Sequence, residues 1–250
     1  MSDPRKTTAA QWDEVWRGTR VPVRPGRINP SVISTRRLLL GALPGTATSI
    51  FELGCAPGAW LADLHLRTGL RVGGCDLSPE GVAWTRRNFE ALGVVGEVFE
   101  TDVFELSPEK HGAHDLVYSL GLVEHFSDTR AVVEAHAAIT RPGGIVIVSV
   151  PNLQGLSGRP YYRADPNVEK THEVMTAERL EEAARSAGLE PIHAGYGGPF
   201  SAYVLLDRMR GRTKRLLTYG ACTVAAALSY PLHSRQVSGQ VRLIARKSAD

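Results

Sequence analysis

The sequence predicts an α/β fold built on a mostly parallel sheet with helices on both faces. Three observations predict it. Apolar runs near 48–53, 71–76, 96–101, 115–119 and 145–150 alternate with segments of helical period near 58–68, 79–92 and 128–140. Such alternation packs as consecutive strand–helix units around a parallel sheet. The runs are nearly continuous in apolar residues, as strands covered on both faces require. The first run also ends in a glycine turn, Phe51-Glu52-Leu53-Gly54-Cys55-Ala56-Pro57-Gly58, and the second ends in a carboxylate, Asp76.

Taken in order, residues 1–7 read as a frayed polar tail. Ala9 to Arg17 follows as a short helix with Trp12 and Trp16 one turn apart, either covering apolar surface or forming a lid. Arg20 to Pro30 is a proline-rich loop, and Val32 to Leu43 a second helix. Ser78-Pro79-Glu80 starts a helix: serine caps, proline fits the first position, and glutamate faces the positive end. After Pro151 the pattern breaks, and Asn152 to Thr171 shows no period, as functional or irregular connections do. Thr176 caps a helix that Gly188 ends, and Leu189 to Tyr196 and Gln240 to Arg246 are two further strands.

Between those strands lies an insertion, near 199–237. Arg208, Arg210, Arg212, Lys214 and Arg215 form a basic cluster, and Leu216 to Leu232 carries no charge. The uncharged stretch is short for a membrane span and reads as a buried or substrate-covering helix. The same pairing of basic and apolar residues also suits an anionic membrane surface.

The chain has 250 residues, enough for one α/β domain with a sizeable core. Its net charge of +3, carried by 24 Arg and 5 Lys against 26 acids, is too mild to argue for a nucleic-acid groove. Three cysteines, Cys55, Cys75 and Cys222, show neither metal nor disulfide spacing. The polar N-terminus has no signal-peptide pattern, and a cytoplasmic protein is expected.

A strand, a glycine turn, a helix and a second strand tipped by Asp76 suit an adenosine ribose, whose two hydroxyls a carboxylate accepts. A dinucleotide needs backbone N–H groups aimed at its diphosphate, in the spacing G-x-G-x-x-G. Here the glycines are spaced G-x-x-x-G, Pro57 has no N–H, and Glu52 repels an anion. S-adenosylmethionine (SAM) carries a sulfonium and an ammonium and no phosphate, so these residues fit it better.

Glu52-Leu53-Gly54-Cys55-Ala56-Pro57-Gly58 resembles the first motif of class I SAM-dependent methyltransferases, [DE]-x-G-x-G-x-G, with Ala56 in place of the middle glycine. Four more segments match in order: Gly74-Cys75-Asp76-Leu77-Ser78, Thr101-Asp102-Val103, Asp115 to Phe126, and Arg141-Pro142-Gly143-Gly144 with the strand after it. The likeness covers about residues 48–152 and is strongest toward the ubiquinone/menaquinone-biosynthesis-like group. It implies a Rossmann-like seven-stranded sheet, mostly parallel, with one antiparallel strand near the C-terminus. Residues 1–47 then form a helical cap on a methyltransferase domain at 48–250, with insertions near 151–175 and 199–237 shaping the acceptor site.

The resemblance also assigns roles. Glu52, Gly54, Cys55 and Gly58 approach the methionine end, Asp76 and Leu77 the ribose, Asp102 and Val103 the adenine, and Leu120 the junction between them. His125 is the candidate base, with His172 a second, weaker one. Trp16, Asn152, Tyr161 and Tyr162 are candidates for the acceptor pocket. No metal is expected, because the remaining histidines have no carboxylate or cysteine at ligand spacing. The [DNS]-P-P-[YF] segment of base-amine methyltransferases is absent, and Ser119-Leu120-Gly121-Leu122 stands there instead. The expected activity is methyl transfer from SAM to an oxygen, or else a nitrogen or carbon, of a small molecule. Alternatives are a non-catalytic SAM-binding partner and a membrane-associated lipid- or quinone-type methyltransferase.

Overall fold

The computed structural model of the protein describes residues 4–165, 167–203, 206 and 211–249. Its centre is a seven-stranded sheet ordered β3-β2-β1-β4-β5-β7-β6. The strands are β1 (Ser49–Leu53), β2 (Arg71–Asp76), β3 (Gly96–Glu100), β4 (His114–Leu120), β5 (Thr140–Pro151), β6 (Leu189–Gly197) and β7 (Gln240–Lys247). Pairs among β1 to β5 are parallel, whereas β7 runs antiparallel to both β5 and β6. The sequence order reverses between β1 and β4, and open α/β sheets bind ligands at such a switch, beyond the carboxyl ends of the strands.

Alternation along the strands divides the core between two faces. Phe51, Leu53, Val117, Val146 and Val148 pack on one face with Val132, Val133 and Leu180. Ile50, Leu116, Tyr118, Ile145 and Ile147 pack on the other with Leu39, Leu61 and Leu64. The first set meets helices α6 (Thr129–Ala138) and α9 (Ala177–Ser186); the second meets α2 (Pro30–Gly41) and α3 (Ala59–Thr68). Each fully buried side chain of this size contributes about 1.5–3 kcal/mol, so both layers are needed to hold the sheet.

Local signals set the element ends. Ser78 caps α4 (Pro79–Leu92) by accepting from Gly81 N at 2.9 Å, and Gly93 ends it in the left-handed conformation. Thr176 likewise caps α9, accepting from Arg179 N. Helix α1 (Ala9–Trp16) is pinned to the start of α4 by Asp13, whose Oδ1 accepts from the Ser78 hydroxyl at 2.6 Å and Glu80 N at 3.2 Å. A carboxylate at that helix end also meets the positive end of the helix dipole.

Three expectations change. Residues 4–7 are tied down: Ser127 N donates to Pro4 O, Lys6 N donates to His125 O, and Arg5 bridges to Phe126. The polar composition gave no hint of this, because the bonds use backbone groups every residue has. The connection after β5, expected to lack period, holds two short helices, α7 (Gly158–Ala164) and α8 (Val168–Thr171). Most of the uncharged stretch joins the end of the basic cluster in α10 (Arg212–Ser229), which lies on the surface and is not buried. Small residues, Cys222, Ala226 and Ser229, face inward, while Leu217 and Leu228 are 70% and 74% exposed. Arg208 and Arg210 lie outside the described residues. Among those described, no helix is long and apolar enough to cross a membrane. The short helix Pro108–His111 (α5) lies between β3 and β4.

Candidate active site

The turn after β1 builds the floor of a cleft at the switch point. Gly54 takes φ of +69°, open mainly to glycine, so that its N–H and that of Cys55 reach Cys75 O at 2.8 and 3.0 Å. Ala56 N donates to Asp76 Oδ2 at 3.1 Å, and Gly58 N to Cys55 O. Every N–H of the turn is thus engaged within the protein, and Pro57 has none. No donor of the turn remains for a diphosphate. Gly58 serves packing: a Cβ there would lie 2.6 Å from Thr85 Cγ2 and 2.9 Å from the Phe89 ring.

Asp76 and Asp102 stand on the same cleft, of about 780 Å³. Asp76 Oδ1 accepts from Ser78 N at 2.9 Å. Burial raises its carboxyl above the ordinary range, and the Ser78 and Ala56 N–H groups oppose that rise. Asp102 Oδ1 caps a turn by accepting from Phe104 N, and Oδ2 pairs with the Arg5 guanidinium. Gly54, Leu77, Val103, Leu120, Gly121, Trp16 and His125 also line this cleft.

Glu52 and Cys55 lie beneath it, not on its wall. Glu52 is buried, its Oε2 accepts from the Tyr118 hydroxyl at 2.9 Å, and burial raises its carboxyl well above the usual range. Burial likewise pushes the Cys55 and Cys75 thiols up, consistent with inert packing residues.

The N-terminal segment roofs the cleft. Trp12 and Trp16 stack at 6.3 Å, and Trp12 meets the His125 ring edge-on at 5.0 Å. Trp16 packs against Gly81, where a Cβ would lie 2.8 Å from the indole. The Trp16 indole nitrogen is buried without a partner among the described residues. Lys6 reaches across to Glu173 Oε1 at 2.7 Å. Arg5 and Lys6 are contributions the sequence reading missed; nothing in a polar tail distinguishes them.

His125 sits where the turn after β4 meets the connection after β5. Its Nδ1 lies 2.7 Å from Thr171 O, so the neutral ring carries its proton there and leaves the Nε2 lone pair free. Burial, helped by His172 and Lys6, lowers its pKa to about 4. His172 packs on it at 4.4 Å but does not line the cleft. Glu124, His125 and His172 bring one donor atom each within 4.8 Å, a grouping their distance along the chain concealed. Burial pushes Glu124 up to about 8, so this acid is protonated near neutral pH.

The acceptor-pocket candidates separate. Tyr161 lines a second cavity that adjoins the first at Leu120 and Gly121. Asn152 is fully buried and consumed by backbone: Nδ2 donates to Arg235 O and Ser238 O, and Oδ1 accepts from Gln154 N and Gly155 N. It fastens the two insertions together and lines neither cavity. Tyr162 is exposed and lies away from both.

A switch-point cleft with carboxylates at the tips of β2 and after β3, over a turn with no donor left for phosphate, is the architecture of a class I SAM-dependent methyltransferase. A family model described as a methyltransferase domain matches residues 27–194, and the chain belongs to that family. The ubiquinone biosynthesis O-methyltransferase of Bordetella avium is 32% identical over 172 residues, spanning 66% of this chain and 70% of that one. The enzyme of the same name from Cronobacter sakazakii is 32% identical over 143 residues, 57% and 58% of the two chains. Among solved structures, the [4+2]-cyclase SpnF aligns with a TM-score of 0.68 at 16% identity, over 100% of this chain and 98% of its own. Geranyl diphosphate C-methyltransferase from Streptomyces coelicolor A3(2) aligns at 0.63 and 13% identity, over 96% and 97%. The structural likenesses speak for the fold; the family makes the protein a SAM-dependent methyltransferase.

Proposed function

We propose that SAM occupies the cleft between the β1 turn and the N-terminal roof, and that the chain methylates an oxygen of a small molecule in the adjoining cavity. When bound, SAM supplies a methyl carbon activated by the sulfonium. Asp76 accepts from the ribose hydroxyls and Asp102 from the adenine amino group, with Val103 against the ring. Leu120 and Gly121 form the wall that both cavities share. Glu52 supports the turn from beneath, its carboxyl held by the Tyr118 hydroxyl, and Cys55 and Gly58 hold the turn. The N-terminal cap, through Arg5, Thr7, Trp12 and Trp16, closes the cofactor side, while Tyr161 and Ser201 bring the two insertions to the acceptor side.

The observation carrying this reading is that Asp76, Asp102 and His125 line one cleft. Aligning the acceptor with the methyl carbon is the largest share of catalysis. His125 adds the proton acceptor, a role worth about 10²–10⁴-fold. The O-methyltransferase names of the sequence relatives support oxygen as the acceptor atom.

Calorimetry with S-adenosylhomocysteine tests the cofactor assignment. Binding is expected to the wild type and lost in Asp76→Ala; heat from a pyridine dinucleotide but none from adenosylhomocysteine would sink it. His125→Ala should keep the binding and lose turnover. Unchanged turnover would remove the base, and binding without turnover on any acceptor by the wild type would leave a SAM-binding partner protein.

A further inference from the structure

The second cavity, of about 620 Å³, is lined in part by Ser31, Ser149, Tyr161, Ser201 and Gln240, and no acidic residue lines it among the described residues. Two of its hydroxyls, Ser31 Oγ and Ser149 Oγ, are buried without a hydrogen-bond partner among the described residues. Ser149 is only 2% exposed. Buried hydroxyls left unpaired are costly, so such a pair marks a place where a ligand completes the bonding.

Behind this wall stands a guanidinium. Arg242 lies opposite Ser149 in the β5–β7 register, and opposed residues of neighbouring strands share a face. Arg242 Nε and Nη2 both donate to Gln240 Oε1, at 3.0 and 2.5 Å, and Nη2 also donates to Ser34 Oγ. Among the described residues no carboxylate pairs with it. Gly197 and Gly198 leave the space it fills, since a Cβ at either would come within 3.0 Å of its side chain. Burial lowers its pKa to about 10, so it stays charged at neutral pH. With Gln240 Oε1 held by the cation, the amide hydrogens are the end of Gln240 left to the cavity it lines. The cavity therefore offers donors from Gln240, Ser31 and Ser149 under an uncompensated positive charge.

We propose that this cavity is the acceptor subsite and that it selects an acceptor carrying an anionic oxygen, a carboxylate or an acidic phenol, seated on the Gln240 amide with Arg242 behind it. The assignment rests on the methyl-transfer reading above and adds to it the charge class of the acceptor. The anionic oxygen can be an anchor remote from the reacting atom or the nucleophile itself, and two probe pairs separate these sources.

The test uses the full chain saturated with adenosylhomocysteine. Ligand-observed NMR compares benzoate with methyl benzoate, and 4-nitrophenolate with 4-nitroanisole. The anion of at least one pair should bind tenfold or more tighter than its neutral ether or ester: benzoate if the oxygen is an anchor, the phenolate if it is the nucleophile. Arg242→Met should erase the preference while keeping the affinity for adenosylhomocysteine. Because Arg242 is buried and its loss can prevent folding, Gln240→Glu provides a second route: the new carboxylate pairs with the guanidinium, and the anion preference should vanish or reverse. The proposal is overturned if neither anion binds, if anion and neutral partner bind alike, or if the preference survives both substitutions. Failure to bind adenosylhomocysteine at all would instead strike the methyl-transfer reading.

Discussion

The Tyr118 hydroxyl donates to Glu52 Oε2 at 2.9 Å across β1 and β4, whose register sets the two residues side by side. Both are buried, and among the described residues this bond is the partner of that carboxyl oxygen in a layer sealed by Leu61 and Leu64. Tyr118→Phe removes the donor and leaves a buried acid. The expected loss of stability is about 1–3 kcal/mol, measured by urea denaturation, with adenosylhomocysteine binding weakened as well. A variant as stable as the wild type would show that water replaces the hydroxyl.

The titration of buried groups predicts a stability profile with two opposed limbs. Glu124 is held protonated up to about 8, whereas in the unfolded chain it ionises near its ordinary value. Its contribution is therefore complete below the ordinary carboxylate range and is lost as pH rises to about 8. Glu124→Gln removes this limb. The gain of the variant over the wild type should grow through that window, by up to about 1.4 kcal/mol per pH unit, and level off above it. His125 and His136 work in the other direction. Burial holds both neutral down to about 4, so the unfolded chain takes up protons first and stability falls as pH drops from the ordinary histidine range toward 4. Urea midpoints from pH 4 to 9 check both limbs; a parallel profile for Glu124→Gln would contradict the assignment.

The roof predicts slow ligand exchange. Arg5 holds Asp102, and Trp12 covers His125, so a nucleoside in the cleft leaves only when residues 5–16 lift. The double variant Arg5→Ala/Trp12→Ala should release adenosylhomocysteine on the order of tenfold faster, a cost of about 1.4 kcal/mol, in stopped-flow displacement. An unchanged off-rate would mean that the ligand exits elsewhere.

The outward face of α10 predicts tolerance. Leu217→Gln and Leu228→Gln alter side chains that are 70% and 74% exposed, and each should shift stability by no more than about 0.5 kcal/mol. Leu180→Ala, fully buried between α9 and the sheet, should cost about 2–5 kcal/mol. Thermal or urea denaturation separates the two cases; a large loss from either α10 change would show that this face is covered in solution.

The sequence by itself determined the seven strands and the longer helices. Apolar runs covered on both faces, capping residues such as Ser78 and Thr176, and the β1 turn are local patterns, so strand and helix bounds and the positions of Asp76 and Asp102 could be read along the chain. It also favoured a cationic nucleoside over a diphosphate, because Pro57 has no N–H and the glycine spacing is G-x-x-x-G. Only the tertiary structure decided that Arg5 caps Asp102, that Glu124, His125 and His172 meet, and that Asn152 is spent on backbone while Tyr161 reaches a cavity. Those contacts join segments far apart in sequence, and their polar side chains follow no periodic pattern. Arg242 shows the limit most clearly: its place in a strand was legible, but its lack of a carboxylate partner depends on what β5, β6 and α2 place around it.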